Sequence, residues 1–487
     1  MVTSAFFVVL HAALFLAVIV RVLLRRPARG VVLAWLLLTA ALPYLGAVAY
    51  FLVGERRISR ERAARMARSR EGFRELAQAE TGLFAPPAPP GADSEASATA
   101  ALPRAASRFF GILPVPGNSF TLHGETLDIL SAIAADIDAA RTSVLMEFYI
   151  WNEGGLTAGV LEALIRAAGR GVTCYVLVDA MGAGRWWKSG EPGRLRAAGV
   201  ELRAALPVGL LRTMAGRTDL RLHRKIVVID GAIGWTGSMN MVDPRFFKQD
   251  AQVGEWVDAM ARFEGPVAGL LAAVMISDWI AEGGDALPGL LAATQLTVAP
   301  RAGSVPVQVL PSGPGPGASG EGLLQVMLSL INAAQRELVI TTPYFVPEDT
   351  LVTALRGAAA RGVRVVVLMP EKIDSFLVRH ASRSFFDEIL EFGGEIRAYR
   401  GGLLHTKSMT ADGRVALFGT ANFDMRSLWL NYEVSLLVDD AGFASELRTL
   451  QQRYIGRSLA VSVQPWAKLP LPERLFVSAM RLMSPLL

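Results

Sequence analysis

HRKIVVID, from His223 to Asp230, returns as HTKSMTAD from His405 to Asp412. Both stretches fit the pattern H-x-K-x4-D, and both continue after the same spacing into G-[ST]-x-N. Because the whole chain contains only 5 histidines, two accidental copies of so specific a pattern would be very rare. The repetition therefore predicts a chain built from two related halves.

The segments that precede the two motifs repeat as well. In each half, short apolar strands alternate with amphipathic helices, which indicates a sheet covered on both faces. We therefore expect an α/β fold with two tandem domains related by a pseudo-twofold axis. The expected elements are helix 126–140, strand 143–151, helix 157–168 and strand 174–179 in the first half, and helix 323–334, strand 337–342, helix 351–360 and strand 364–369 in the second.

The motif side chains suit chemistry on a phosphodiester. Residues i and i+2 of a strand project to the same face, so His223 points with Lys225 and His405 with Lys407. One imidazole can attack phosphorus, while the other protonates the leaving alkoxide and then deprotonates the incoming alcohol. The lysines supply positive charge for the phosphate oxygens. This scheme calls for no metal ion and no cofactor.

The other polar residues of the pattern have three expected roles. The hydroxyls and amides of the G-[ST]-x-N segments are expected to bind the substrate phosphate. Asp250 and Glu433 follow His223 and His405 by nearly equal distances, so we expect them to orient these imidazoles, with solvated surface acids as the alternative. The motif aspartates count with the catalytic set, although each closes a strand before a glycine turn, which favours a structural role. The residues are Ser238, Asn240, Thr420 and Asn422 for the phosphate, and Asp230 and Asp412 for the motif aspartates.

The N-terminal region is apolar. The run Ala5–Val20, which can extend through Leu24, and the run Val31–Val53 each have about the 20 residues that cross a bilayer. We expect two uncleaved membrane spans, with a signal peptide or buried core helices as the alternatives. The arginines of Arg56–Arg70, opposed mainly by Glu61, hold roughly the whole excess behind the formal net charge of +5. Their position after a span favours binding to anionic lipid head groups over binding to nucleic acid. It also predicts a cytoplasmic body, although a smaller arginine group between the two runs favours the opposite orientation.

Composition and motif positions divide the chain into five segments. The only cysteine, Cys174, lies in an apolar run, so we expect it to be buried, and disulfides within the chain are impossible. The last segment is too interrupted to span a membrane, and either lies in the interface or caps the core. The segments are a membrane anchor 1–57, a basic juxtamembrane segment and Ala/Pro-rich linker 58–118, a first domain 119–298, a second domain 299–460 and an amphipathic tail 461–487.

With these residues in view, the chain resembles the bacterial cardiolipin synthases of the phospholipase D superfamily along nearly its whole length. Besides the motif pair, the resemblance rests on the hairpin residues Trp35–Arg57, on SGP at Ser312–Pro314 and on TPYFVP at Thr342–Pro347. Two departures bear on substrate preference. Asp179–Ala183 lacks the expected serine, and Gln249 replaces the usual arginine.

The resemblance implies that one phosphatidylglycerol transfers its phosphatidyl group to another at the bacterial inner membrane, releasing glycerol. It also implies that His223 is the nucleophile and His405 the acid and base. From the residues alone, a phospholipase D hydrolase or a transferase with another alcohol acceptor stays open. A nuclease of the superfamily is disfavoured by the two expected spans, and a non-catalytic lipid-binding protein by the completeness of both motifs. The residues give no indication of oligomeric state.

Overall fold

The computed structural model describes most of the chain, in two units. The first contains residues 1–60 and 208–219, and the second, which we term the catalytic body, contains 61–207 and 220–487. The expected linker from Ala85 lies outside the described residues up to position 100. The described ranges are 2–25, 29–54, 58–80, 101–207, 217, 219–315, 320–462, 468–482 and 484.

The first unit consists of the apolar helices α1 (Val2–Arg25), α2 (Arg29–Ala41) and α3 (Leu45–Val53). Among the described residues, Phe6–Leu24 is the one stretch long and apolar enough to cross a membrane. The expected second span is not one continuous helix. Its break falls at Pro43, which lacks a backbone N–H, and at Tyr44, which has a φ of 64°.

The catalytic body has an α/β architecture in which helices cover a large sheet. Its strands are rich in β-branched and aliphatic residues and are mostly buried, as expected for strands covered on both faces. The helices are α4 (Arg60–Glu80), α5 (Ala101–Phe110), α6 (Thr126–Ala139), α7 (Thr157–Gly169), α8 (Glu191–Ala197), α9 (Val267–Ala281), α10 (Leu287–Thr294), α11 (Gly320–Ala333), α12 (Asp349–Ala360), α13 (Phe376–Arg383), α14 (Phe386–Leu390), α15 (Met425–Trp429), α16 (Ala441–Gly456) and α17 (Leu471–Leu482).

Among the described residues, the first half contains nine strands and the second half eleven. Cys174 lies in β3 and is buried, as expected. The strands are β1 (Val115–His123), β2 (Ser143–Phe148), β3 (Thr173–Asp179), β4 (Glu201–Ala205), β5 (Arg221–Leu222), β6 (Ile226–Ile229), β7 (Ile233–Gly237), β8 (Trp256–Val257), β9 (Met260–Glu264), β10 (Val305–Ser312), β11 (Glu337–Thr341), β12 (Phe345–Val346), β13 (Arg364–Pro370), β14 (Glu395–Tyr399), β15 (Leu403–Leu404), β16 (Ser408–Ala411), β17 (Val415–Gly419), β18 (Phe423–Asp424), β19 (Asn431–Asp439) and β20 (Ser458–Ala460).

The strand order shows the pseudo-twofold relation directly. In the described residues the order is β20-β14-β13-β11-β16-β17-β19-β10-β1-β9-β7-β6-β2-β3-β4. Read outward from the antiparallel pair of β10 and β1, each strand of the first half occupies the same place as a strand of the second half, and β20 adds one further strand at the outer edge of the second half. The expected pair of related α/β halves is therefore confirmed. The region expected to divide them, 299–320, contains β10, which lies in the middle of the sheet.

Each half has its own hydrophobic core on the equivalent face of the sheet. One core is formed by α6, α7, β2 and β3, and the other by α11, α12, β11 and β13. The helices of each pair present aliphatic residues at three- and four-residue spacing, such as Leu161 and Leu164 in α7 and Leu351 and Leu355 in α12. These cores fix the strand ends on which the motif side chains lie.

The basic part of the juxtamembrane segment forms α4, and its first turns pack against the end of α9 within the catalytic body. Arg62 is buried, forms an ion pair with Glu282 just after α9, and donates a hydrogen bond to the Tyr432 hydroxyl at 3.3 Å. Arg65 donates to the carbonyl of Ala281 at 3.1 Å. The expectation that the arginine series as a whole contacts lipid head groups is therefore wrong for Arg62, because a buried carboxylate pairs with it.

Candidate active site

Both motif histidines are attached to the opposite half of the molecule. His223 follows β5, which pairs in parallel with β19, and His405 follows β15, which pairs in parallel with β8. The backbone N–H of His223 donates to the carbonyl of Tyr432 at 2.9 Å, and that of His405 to the carbonyl of Val257 at 2.8 Å. The two short ladders therefore bring both motifs to the seam between the halves.

These ladders also decide which carboxylate holds each imidazole. Nδ1 of His223 lies 2.8 Å from the Glu433 carboxylate, and Nδ1 of His405 lies 2.7 Å from that of Asp258. The expected partners were wrong: Asp250 is exposed on a short helical turn, and Glu433 holds the histidine of the other half. The parallel pairing explains this, because the residue after β5 must lie beside Glu433.

Asp258 was missed because its loop is longer than the corresponding loop of the second half. Counting from the histidines therefore gave the wrong residue in the first half. The position of the carboxylate relative to the strand that pairs with the motif glycine is the same in both halves. Asp258 and Glu433 each lie two residues before the residue opposite that glycine, so counting from this strand finds both. The facing residues are Met260 opposite Gly237 and Ser435 opposite Gly419.

The motif hydroxyls bind the carboxylates. Ser238 donates to Asp258 at 2.6 Å, and Thr420 donates to Glu433 at 2.6 Å. Each hydroxyl oxygen also accepts a hydrogen bond from a backbone N–H, at 3.0 and 2.9 Å. Because both hydroxyls are buried and fully engaged, their expected role in binding phosphate is corrected: they fix the carboxylates that hold the histidines.

The motif amides differ from each other. The Asn240 oxygen accepts from the backbone N–H of Ile150 at 3.2 Å, while its buried Nδ2 has no partner among the described residues. The Asn422 side chain hydrogen-bonds Asp424. Asn240 therefore keeps a donor that suits a phosphate oxygen, whereas the donor of Asn422 is shared with a carboxylate.

The motif aspartates lie at the far ends of their strands from the histidines. Asp230 and Asp412 both have a positive φ, 52° and 55°. Each carboxylate accepts hydrogen bonds from three consecutive backbone N–H groups at the start of a neighbouring strand. These bonds fit the structural alternative, and the catalytic assignment of the two aspartates is corrected. The donors are Arg141, Thr142 and Ser143 for Asp230, and Gln335, Arg336 and Glu337 for Asp412.

The two lysines are buried point charges beside the histidines. Nζ of Lys225 donates to the carbonyl of His223 and Nζ of Lys407 to that of His405, each at 2.5 Å. Burial lowers the pKa of Lys225 to about 8 and lowers that of Lys407 well below its usual value. A bound phosphodiester anion would oppose this effect, because a nearby negative charge favours the protonated lysine.

Both imidazoles are neutral at pH 7. Burial lowers the pKa of His223 and of His405 to about 4, although the carboxylates of Glu433 and Asp258 oppose this. Burial by itself raises the pKa of the Asp258 and Glu433 carboxylates. The neighbouring histidine and lysine together have a larger opposite effect, so the pKa of each carboxylate lies below its usual value. Each Nδ1 therefore donates to a carboxylate, and each Nε2 presents the lone pair that a nucleophile or base requires.

Arg224, which the sequence analysis did not single out, connects the site to the sheet beneath it. It is buried and pairs with Asp278 of α9. Its other donors reach the carbonyl of Glu433 at 2.9 Å and that of Ser312 at 3.2 Å. Arg224 therefore supports the backbone of the residue that holds His223, a long-range contact without a local sequence signal.

Glu147 on β2 was also missed, and its environment is unusual. It is fully buried, and neither carboxylate oxygen has a hydrogen-bond partner among the described residues. Arg224 and Arg62 act on it electrostatically, but each is paired with another carboxylate. Burial consequently raises the pKa of Glu147 to about 8.

Two histidine–lysine motifs that meet at the seam of a pseudo-twofold α/β sheet place the chain in the phospholipase D superfamily. The family described as cardiolipin synthase, PLD-like domain, matches residues 133–254 and 327–454, and the phospholipase D-nuclease N-terminal family matches residues 13–55. The chain belongs to the family of cardiolipin synthases with phospholipase D-like domains.

Relatives and a solved structure agree with this placement. Cardiolipin synthase A of Pectobacterium carotovorum subsp. carotovorum (strain PC1) is 42% identical over 480 residues, which cover 97% of this chain and 96% of that protein. Cardiolipin synthase A of Yersinia pseudotuberculosis serotype O:1b (strain IP 31758) is 43% identical with the same coverage. The crystal structure of phosphatidylserine synthase from Haemophilus influenzae Rd KW20 matches 80% of this chain and 100% of its own, with a TM-score of 0.59 and 16% identity, and shares the fold.

The crossed carboxylates can be tested with charge-removing variants. Glu433→Gln and Asp258→Asn keep an oxygen acceptor but lose the negative charge that stabilises the imidazolium. By comparison with a Ser-His-Asp triad, we expect kcat for a phospholipid substrate to fall by about 10⁴-fold. The matched control Asp250→Asn should keep the parent rate, and an equal loss in that control would contradict the crossed pairing.

Glu147 should give the protein a pH-dependent stability. Its folded pKa of about 8 lies above the ordinary value of 4.5, so its contribution to stability is full below pH 4.5 and is lost as the pH rises towards 8. Glu147→Gln should flatten this decline and unfold at a higher temperature than the parent at pH 8. Thermal unfolding of both proteins between pH 5 and 8 is the measurement, and parallel curves would rule out a protonated Glu147.

Proposed function

We propose that the chain is a membrane-bound phosphatidyltransferase that makes cardiolipin from two phosphatidylglycerol molecules and releases glycerol. The observation that carries this proposal is the pair of buried histidines, each held at Nδ1 by a carboxylate of the opposite half. The relatives with 42% and 43% identity, both called cardiolipin synthase A, support the choice of substrate.

In the first step, Nε2 of His223 attacks the phosphorus of the donor lipid. The new bond is P–N, and the bond between phosphorus and the glycerol head-group oxygen breaks. In this proposal Lys225, Lys407 and the Nδ2 of Asn240, which has no partner among the described residues, bind the phosphate oxygens. His405 gives its proton to the leaving alkoxide, having taken that proton when the anionic lipid raised its pKa.

In the second step, the neutral His405 takes the proton from a glycerol hydroxyl of the second lipid. That oxygen attacks phosphorus, the P–N bond breaks, and His223 returns to its neutral form. Both histidines are nearly inaccessible, with 7% of His223 and 3% of His405 exposed. A site so enclosed favours an acceptor that fills it over bulk water, which supports transfer over hydrolysis.

We also propose a topology for the anchor. α1 would cross the membrane once, and α2 with α3 would cross it together as a helix broken at Pro43, which a neighbouring helix can accommodate. Ala47 and Tyr50 of α3 pack against Val18 and Val22 of α1, which supports such a hairpin. The arginine series from Arg56 then favours a cytoplasmic catalytic body.

The proposed reaction is tested with the purified full chain in detergent and phosphatidylglycerol as the only lipid. Cardiolipin and free glycerol should appear in equal amounts by mass spectrometry, and the matched variant His405→Ala should form neither. Phosphatidic acid as the only lipid product would instead identify a hydrolase. Full activity of the variant would contradict the two-histidine scheme.

A further inference from the structure

The C-terminal helix α17 presents its apolar side chains to solvent. None of its described residues is buried, and Leu471, Leu475 and Leu482 are each more than 60% exposed. The neighbouring helix α13 does the same with Phe376 and Leu377. Adjacent helices of a soluble body rarely expose so many large apolar side chains without a partner.

α13 and α17 form one continuous apolar surface. The His380 ring contacts Phe376 at 4.3 Å and Phe476 of α17 at 5.1 Å between ring centroids. The polar side of α17 is fastened to the body, since Arg481 bonds Asp349 at 3.0 Å and also pairs with Glu388. Of the two alternatives for the tail, the core cap is therefore wrong, because a cap would bury the leucines that this arrangement exposes.

A chain of side-chain contacts connects this surface to His405. Asp374, two residues before α13, accepts a hydrogen bond from Tyr344 at 2.8 Å and pairs with Lys248 at 3.1 Å. The Lys248 ammonium lies 5.5 Å from the ring of Trp256, which packs against His405 at 4.3 Å. The loop that carries Lys248 also carries Phe246, which is 67% exposed.

We propose that Phe246, Phe376, Leu377, Leu471 and Leu475 form a lipid-facing rim that seats the mouth of the active site on an anionic bilayer surface. From its first to its last leucine, α17 is about 17 Å long at ~1.5 Å per residue, too short to cross a ~30 Å hydrocarbon core but suited to lying in its interface.

The charges near the rim fit an anionic lipid surface. The exposed cations Arg379 and Arg383 lie on α13, which has no acidic residue, and the exposed Lys372 precedes it. Cations beside an interfacial apolar face attract acidic head groups. The rim rests on the proposed function only in that the reacting lipid would enter at this surface.

Fluorescence quenching tests the docking without measuring activity. In the full chain with Cys174→Ala, Phe376→Cys or Leu475→Cys carries an environment-sensitive dye, in nanodiscs that contain phosphatidylglycerol and spin-labelled lipid. We expect a blue-shifted emission that the spin label quenches. Val298→Cys, whose native side chain is 46% exposed, follows residues that pack against Gly231 at the strand end far from the histidines; it is the matched control and should remain unquenched. Rim labels that behave like the control, or that are protected only when the chain self-associates, would overturn the proposal.

Kinetics in mixed micelles gives a second readout. Combining Phe376→Ser with Leu475→Ser should raise the KM for the lipid mole fraction by at least about tenfold, since two large apolar groups lose their burial, and should leave kcat unchanged. Val298→Ser should change neither constant. An unchanged KM, or a loss of kcat alone, would contradict the rim. If the rim labels are quenched but the protein makes no cardiolipin, the proposed function is rejected and the lipid-facing rim is still supported.

Discussion

The parallel pairing of β5 with β19 and of β15 with β8 is the contact on which the rest of the site depends. Each ladder is only two residues long, yet it carries a histidine from one half to a carboxylate of the other. Neither half therefore contains a complete histidine–carboxylate pair. The continuous sheet through β1 and β10 keeps the halves in the register that these short ladders require.

Burial controls the protonation of the site. The histidines, their carboxylates and the lysines are all nearly inaccessible to water, so each charge must be balanced by a neighbour. Imidazoles lose their protons in this environment, whereas Glu433 and Asp258 stay ionised because cations face them. A phosphodiester anion that enters the site lies beside two buried lysines. Its negative charge raises the pKa of the histidines, so that one of them can take up a proton.

Local sequence patterns predicted the repeat, the alternating helices and strands, and the two histidines with their lysines, because periodicity and spacing act over a few residues. They failed where distant parts of the chain meet. Asp258 becomes the partner of His405 through a ladder between halves, and Arg62 is buried where Glu282 and Tyr432, both distant in sequence, contact it. Pro43 was visible in the sequence, but whether it kinks or breaks a helix depends on the packing around it.

The central claim is that histidines from both halves act in turn on one phosphodiester. Its most direct test is a single-turnover reaction of His405→Asn with a phosphatidyl ester of p-nitrophenol, a leaving group that needs no proton. The account predicts a burst of one nitrophenol per enzyme and a phosphatidyl group on His223, which then persists because no base activates the acceptor. Two results would contradict the account: a nitrophenol burst in His223→Asn with the phosphatidyl group attached to His405, or continued turnover by His405→Asn.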